Sequence, residues 1–403
     1  MKAVPSQQTI VRKYGGTSVA SLERIAKAAR GALQAQSRGL QPVLVVSAMS
    51  GETNRLLALA QAACPVPDRR EADVVAATGE QVTAALTAIS IQNAGGRARS
   101  FLAHQLAIRT DAVASDARIQ GIDTRPLRLC LQNGEIPVIA GFQGVDAMDR
   151  ITTLGRGGSD TTAVAVAAAL GAACEIYTDV PGVFTADPGV CPEARQLDRI
   201  SHGQMLEMAT LGAKVLHPRS VALAAKYGVP LEVRSSLDAL PGTRVVAAME
   251  AAAVTALACD KGLSRLRREA EFPSNEALRL ADLAGRSGIR LDAVTTDPRG
   301  VSFVLRHTDI PRLQSLLQSA AAAAPESPTD VETDLARVSL VGHLLQSDPG
   351  TVAAAARLIR EKAIPIHGMQ VSETTVSFLV AAAEADGAIR ALHEGFELHK
   401  EIT

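Results

Sequence analysis

Residues Thr152–Thr162 read TTLGRGGSDTT. Between Gly155 and Asp160 the chain places three glycines, an arginine, a serine and an aspartate. The run Thr161–Leu170 (TTAVAVAAAL) has a helical pattern. The glycine turn is therefore expected to open a helix, with Ser159 or Asp160 as its N-cap. Backbone N–H groups in such a turn approach an anion, and a helix N-terminus adds positive potential. Arg156 adds a planar fork suited to a carboxylate or phosphate. The same composition also suits a surface loop that needs glycine for positive φ. The stretch alone leaves both readings open.

The flanking segments extend the pattern. Upstream, Ile136–Ala140 reads as a buried strand ending at Gly141-Phe142-Gln143-Gly144. Downstream, Cys174–Tyr177 reads as a strand leading into TDVPGVFTADP, Thr178–Pro188. Its two aspartates, Asp179 and Asp187, suit magnesium or the organisation of phosphate-binding lysines. They equally suit two Asx turns, since Pro and Gly adjoin both.

At the N-terminus, Thr9–Tyr14 (TIVRKY) is a short strand running into Gly15-Gly16-Thr17-Ser18. A helix follows from about Ser21, with Leu22, Ile25, Ala29 and Leu33 on one face. Strand, glycine turn and helix make an anion cradle, into which Lys13 would point. The alternative for Lys13 is a solvated surface lysine. Neither GxxxxGK[ST] nor a GxGxxG after a strand occurs.

Pro42–Ser47 is a near-continuous apolar strand. The polar run Ser47–Asn54 then lies where open α/β sheets bind ligands. Glu71–Gln92 has helical period, with an expected interruption at Gly79-Glu80. Glu80 could accept from an ammonium group or be a solvated glutamate. A helix around Met205–Gly212 leads to Lys214, His217-Pro218 opens another, and Leu231–Arg234 is a last strand. Strands alternate with helices throughout, which predicts one large α/β domain, residues 1–248, with a mostly parallel sheet.

Beyond it, two shorter patterns flank the linker-like run Ala320–Asp334. The second reads βαββαβ: strand Val338–Val341, helix Thr351–Glu361, strands Ile364–Val371 and Thr375–Ala381, helix Gly387–Glu394, and a last strand near Phe396–His399. Val254–Gln318 repeats it more weakly. The expected division is 249–330 and 331–403.

The composition excludes several classes. Net charge is −1, Trp is absent and aromatics are 2%. No basic field or stacking platform points to nucleic acid. No apolar run reads as a membrane span, and MKAVPSQQTI has no signal-peptide core. Five scattered cysteines without a CxxC argue against disulfides or zinc and for a reducing, cytoplasmic setting. The eight histidines form no ligand motif.

Seven motifs in order make the set recognisable: Lys13–Val19 (KYGGTSV), Val46–Met49 with Thr53-Asn54, Gly79-Glu80, Gly141–Gly144, Thr153–Thr162, Tyr177–Pro188 and Gly212–Pro218 (GAKVLHP). Together they resemble the aspartate kinases of the amino-acid kinase superfamily, over essentially the whole chain. The resemblance implies an α/β fold, an α/β/α sandwich on a mostly parallel open sheet, followed by two ferredoxin-like βαββαβ ACT domains. It implies transfer of the ATP γ-phosphoryl group to the side-chain carboxylate of L-aspartate. The first step of lysine, threonine and methionine supply would follow.

By motif, the resemblance assigns catalysis to Lys13, Asp179 and Lys214. It assigns nucleotide binding to Lys13, Gly15, Gly16, Thr178, Asp179, Phe184, Asp187 and Lys214. It assigns substrate binding to Ser47, Thr53, Glu80, Arg156, Gly157 and Ser159. Arg156 would pair with a substrate carboxylate and Glu80 would receive the α-ammonium. Mg2+ would come with ATP rather than through a ligand motif of the chain. An amino-acid effector at the ACT domains and a homodimer or higher homo-oligomer are further implications, with no nucleic-acid or membrane partner. Met249 could be an internal start for a separate regulatory subunit.

Departures from the family pattern qualify this. Phe184 and Gly189 stand where the family usually has Tyr and Arg, and Gln204 where it commonly has Glu. Weakened ATP affinity is the expectation. In the first ACT module, Phe272–Asn275 replaces the usual Pro-Gly turn and Thr295–Arg299 the usual Gln-Asn pair. Weak or altered feedback inhibition is expected. The alternatives are a related kinase of another acidic substrate, or a catalytically weak ACT-bearing regulator.

Overall fold

The computed structural model describes residues 8–238, 240–247, 254–320 and 329–400. Met249, the junction at 248/249 and most of the run 320–334 lie outside them. The chain forms two compact units.

The first unit holds β1 (Thr9–Tyr14), α1 (Leu22–Ser37), β2 (Gln41–Val46), α2 (Glu52–Ala63), α3 (Arg69–Asn93), β3 (Ala98–Phe101), β4 (Arg109–Thr110), β5 (Ile119–Gly121), α4 (Arg125–Gln132) and β6 (Ile136–Ala140). It continues through β7 (Gln143–Val145), β8 (Ile151–Thr153), α5 (Gly158–Leu170), β9 (Ala173–Thr178), β10 (Arg199–Ser201), α6 (His202–Thr210), α7 (Pro218–Tyr227), β11 (Leu231–Ser235) and β12 (Thr243–Val246). An eight-stranded sheet runs β10-β12-β11-β9-β1-β2-β6-β3. All its pairs are parallel except β11 with β12. The mostly parallel open sheet is therefore as the sequence indicated. A second sheet, of four strands, runs β5-β4-β7-β8.

Alternation along β1 sorts its side chains to the two faces. Tyr14 joins the core with Ile25 and Ala29 of α1, Leu44 and Val46 of β2, and Ala84, Ala88 and Ile91 of α3. Lys13 faces the other way, toward α5. Since β1 pairs with β2 on one edge and β9 on the other, the chain order reverses there. Open α/β sheets bind ligands outside the strand carboxyl ends at such a point.

Two expectations fail here. Helix α3 runs unbroken through Gly79. Gly79 is a packing glycine: a Cβ there would lie 2.8 Å from the Ala48 Cβ. The α5 N-cap is Gly157, at φ 66°, with Ser159 and Asp160 already in the first turn. Helix α3 is also long and apolar enough, by length and composition alone, to cross a membrane. It instead buries Ala76, Ala77, Ala84, Ala88 and the carboxylates of Asp73 and Glu80 inside the unit, as a core helix does.

The second unit holds β13 (Val254–Glu269), α8 (Pro273–Arg286), β14 (Leu291–Asp297), β15 (Gly300–Arg306), α9 (Ile310–Ala320), β16 (Thr329–Gly342), α10 (Pro349–Glu361), β17 (Gly368–Val371), β18 (Thr375–Ala381) and α11 (Ala385–Gly395). Thr185–Arg195 and Leu211–Ala213 also belong to it. Its six strands form one sheet, β14-β15-β13-β16-β18-β17. Each ACT-type module supplies three strands, and the first strands of the two pair antiparallel along most of their length. That pairing occupies the edge where a last strand of either module would lie. The strand expected near Phe396–His399 is accordingly not formed: residues 396–400 turn, with Glu397 left-handed at φ 52°.

Candidate active site

The carboxyl ends of β1, β2, β6 and β9 are tied to one another by backbone bonds. Ser47 N–H donates to Tyr14 O at 3.1 Å, Gly15 N–H to Tyr177 O at 3.2 Å, and Gly141 N–H to Val46 O at 3.0 Å. At this rim Lys13 Nζ lies 2.6 Å from Asp160 Oδ1, with both side chains about nine-tenths buried. No other donor reaches that oxygen among the described residues. A buried carboxylate in the first turn of α5 thus holds the lysine beside the Gly15–Gly16 turn. A Cβ on Gly15 would lie 3.2 Å from the lysine Nζ, and one on Gly16 would press on Ala48 O at 3.1 Å. Both glycines keep the backbone open to a ligand.

Glu80 is 3% exposed. Its Oε1 accepts the Ala48 N–H at 3.0 Å, while its Oε2 is buried with no hydrogen-bond partner among the described residues. Burial pushes its carboxyl up to about 7, against the pull of the backbone bonds. A half-charged carboxyl with one empty oxygen is chemically fit to receive an ammonium group.

The glycine turn takes its shape from its neighbours. Gly155 and Gly157 have φ of 72° and 66°, the left-handed region. A Cβ on Gly157 would overlap the His217 side chain. Ser159 is buried beneath Gly141, where a Cβ would lie 2.9 Å from the serine Oγ. His217 caps α7, its Nδ1 accepting the Arg219 N–H at 3.4 Å, and burial lowers its pKa. Among the described residues no three His, Cys, Asp or Glu side chains gather as a metal site.

The comparisons with known proteins bear on this geometry. Residues 8–235 match the model of the amino acid kinase family, and 338–396 that of the ACT domain. Aspartokinase 2 of Bacillus subtilis is 42% identical over 401 residues, covering 97% of this chain and 98% of its own. The chain belongs to the aspartokinase family. It is by that family an ATP-dependent kinase acting on the carboxyl group of aspartate. Aspartate kinase of Pseudomonas putida is 40% identical, with 96% and 97% covered. Among solved structures, E. coli aspartokinase III in complex with aspartate and ADP (R-state) superposes with a TM-score of 0.84 at 27% identity, covering 97% of this chain and all of that one. The same enzyme with lysine and aspartate (T-state) gives 0.76 at 27%, covering 96% and 99%.

Of the residues the aspartokinase motifs single out, Lys13, Gly15, Gly16, Ser47, Glu80 and Ser159 stand at the linked strand ends described above, and Gly157 packs against His217. Asp179 is exposed, its Oδ1 accepting the Thr178 hydroxyl at 3.1 Å. Arg156 and Lys214 are exposed, and Thr53 is half-buried near the start of α2. Neither Arg156 nor Lys214 has an ion pair among the described residues, so both charges are free for a ligand. Phe184 is half-buried and bridges to Gln196. Asp187 belongs to the second unit, where its Oδ1 accepts the Gly189 N–H at 2.8 Å. Its local geometry is the Asx turn.

Gln204 has a local explanation. Its Oε1 accepts the Ser201 hydroxyl at 3.0 Å, and its N–H donates to Ser201 Oγ at 3.1 Å. This is a capping arrangement at the start of α6, which an amide serves as a carboxylate does. Asp160 was missed as the lysine's partner. Its place beside Ser159 in the glycine motif was the available signal, but local spacing pointed to a cap rather than a cross-sheet ion pair.

Proposed function

We propose that the site binds L-aspartate and MgATP together and transfers the γ-phosphoryl group to the aspartate side chain, giving 4-phospho-L-aspartate and ADP. The substrate carboxylate oxygen attacks the γ-phosphorus as the bond to the bridging β,γ oxygen breaks. That carboxylate is already a nucleophile, so neither a general base nor a covalent enzyme intermediate is needed. Such a reaction asks the protein mainly for positioning and charge neutralisation. Lys13 and the Gly15–Gly16 turn take the phosphates and Lys214 approaches them as a second cation. Thr178 and Asp179 line the nucleotide side, and Phe184 and Asp187 extend that loop. Magnesium, when bound with ATP, neutralises phosphate charge, and the exposed Asp179 carboxylate is the residue suited to face it. Arg156 pairs with an aspartate carboxylate, Glu80 takes the α-ammonium, and Ser47, Thr53, Gly157 and Ser159 complete that side.

The observation that carries this reading is Glu80: a buried carboxyl with one unserved oxygen, at the rim that also holds Lys13. A coupled hydroxamate assay with aspartate and MgATP tests it. Product is expected, with Arg156→Lys raising the aspartate KM far more than the ATP KM. No product at saturating ATP would instead favour a regulatory chain.

E. coli aspartokinase III forms a complex with lysine and aspartate in its T-state. An amino-acid effector at the ACT modules is proposed here by analogy. The altered first module supports weak or re-directed inhibition. Assembly as a homodimer or higher homo-oligomer through these modules is proposed on the same ground, and an open cleft along α10, lined by Ala353, Ala356, Arg357, Arg360, Ile364 and Ile366, offers it a mixed apolar and basic surface. The five free thiols suit a cytoplasmic setting.

A further inference from the structure

Asp73, near the start of α3, is 2% exposed. It has no ion pair among the described residues, yet its lone pairs are filled. Oδ2 accepts the N–H groups of Ser115 at 2.9 Å and Thr153 at 3.0 Å. Oδ1 accepts the hydroxyls of Ser115 at 2.9 Å and Thr153 at 2.8 Å. A carboxylate buried this way is tolerated only because those bonds replace its water.

What Asp73 grips is the entry to the glycine turn. Thr153 ends β8, two residues before Gly155. Ser115 O lies 2.9 Å from where a Gly155 Cβ would stand, and Ala117 N–H donates to Thr153 O at 2.9 Å. The opposite side is held by Arg219 of α7, which donates to Leu154 O at 2.6 Å, Ala117 O at 2.7 Å and Asp116 Oδ1 at 2.8 Å. Arg156 has no hydrogen bond or ion pair of its own among the described residues, so its backbone aims it. Glu80 lies seven residues beyond Asp73 on the same helix, about 10 Å along the axis.

We propose that Asp73 is a positioning residue for the aspartate site: through Ser115 and Thr153 it fixes the Arg156 turn at a set distance from Glu80, so that one rigid helix spaces the two recognition points for the amino acid. The inference rests on the reading of Arg156 and Glu80 as the aspartate contacts. It requires binding of aspartate, and not of ATP, to depend on a side chain that touches neither.

The test is steady-state kinetics of the full-length protein with both substrates varied, for Asp73→Asn, Thr153→Val, Thr153→Ser and Arg156→Lys. Asp73→Asn is expected to raise the aspartate KM tenfold or more, and Thr153→Val about threefold, with the ATP KM within twofold of wild type. Thr153→Ser, which keeps the hydroxyl, restores the aspartate KM. A folded Asp73→Asn and Thr153→Val with wild-type aspartate KM overturn the proposal, as does an equal rise in both KM values. Should Asp73→Asn fail to fold, Thr153→Val against Thr153→Ser decides by the same criteria. A raised aspartate KM in Arg156→Lys with none in the other variants overturns this proposal alone. An unchanged one in Arg156→Lys overturns the site reading and this proposal with it.

Discussion

Lys13 and Asp160 lie 2.6 Å apart, Nζ to Oδ1, and each is almost wholly buried. One ends β1 and the other stands in the first turn of α5, 147 positions later in the chain. The cation assigned to the phosphates is thus stored beside an anion. Lys13→Met should lower kcat at least about a hundredfold, since charge on the transferring phosphoryl group loses a partner. It should also cost about 3 kcal/mol of stability, because Asp160 is left charged and unpaired. Adding Asp160→Asn should restore most of that stability but none of the activity. Denaturation and hydroxamate assays on the single variant, the double variant and wild type check this. Equal stability of Lys13→Met and wild type would show the pair to be idle.

Glu80 sets a pH dependence. Its folded pKa, about 7, is raised above the usual 4.5, so the folded protein holds this proton more tightly than the unfolded chain. The neutral carboxyl favours the fold below about pH 4.5, and that advantage is lost as pH rises through 7. At about 1.4 kcal/mol per pKa unit, the loss is about 3 kcal/mol across the window. Glu80→Gln should flatten that part of the stability profile of the ligand-free protein. Aspartate binding has the opposite sign: its ammonium needs the ionised carboxylate, so the aspartate KM should fall as pH rises from 6 to 8. A flat aspartate KM over that range would argue against the ammonium role.

Gly189 tests the nucleotide side. Its φ is outside the left-handed region, and a Cβ there meets only the Asp187 carboxylate, at 3.2 Å to Oδ1. The backbone therefore accepts the arginine common in the family. Gly189→Arg should lower the ATP KM roughly tenfold, in line with about 1.5 kcal/mol for a charge-assisted bond. ATP titrations of both proteins give the answer; identical values would remove any penalty from the glycine.

The effector response should be weak. In the first module β14 is largely exposed from Val294 to Asp297, where the departing residues lie. The second module keeps its turn, with Asp348 capping α10 through Gly350 N–H and Thr351 N–H at 3.1 and 3.2 Å. Activity measured against lysine, threonine and both should fall by less than half at millimolar effector. Strong inhibition by either would show that the altered turn still binds.

Much of the fold was legible locally. Strand Ile136–Ala140 forms as read because a continuous apolar run between turn residues has few other ways to be buried, and Thr375–Ala381 because its alternate residues Val376, Phe378 and Val380 share one face and enter the core. The glycine motifs named the rim residues for a similar reason. Close backbone approach and left-handed φ leave glycine little competition at Gly155 and Gly157. Local reading failed wherever a distant segment made the choice. Gly79 looked like a helix break but is a place where the Ala48 loop packs against α3. The last ACT strand matched a pattern, but its edge is taken by the pairing of β13 with β16.

By itself, then, the sequence determined the order of strands and helices, the turns that open toward a ligand, and the charged residues offered there. Those follow from periodicity, backbone freedom and side-chain chemistry, all of which act over a few residues. Only the tertiary structure decided which charges meet. Asp160 for Lys13, Ala48 for one oxygen of Glu80, and Thr153 for Asp73 are chosen by sheet register and helix docking across tens to more than a hundred residues. Burial makes each choice matter, because an ionised group removed from water must find its partner inside the protein.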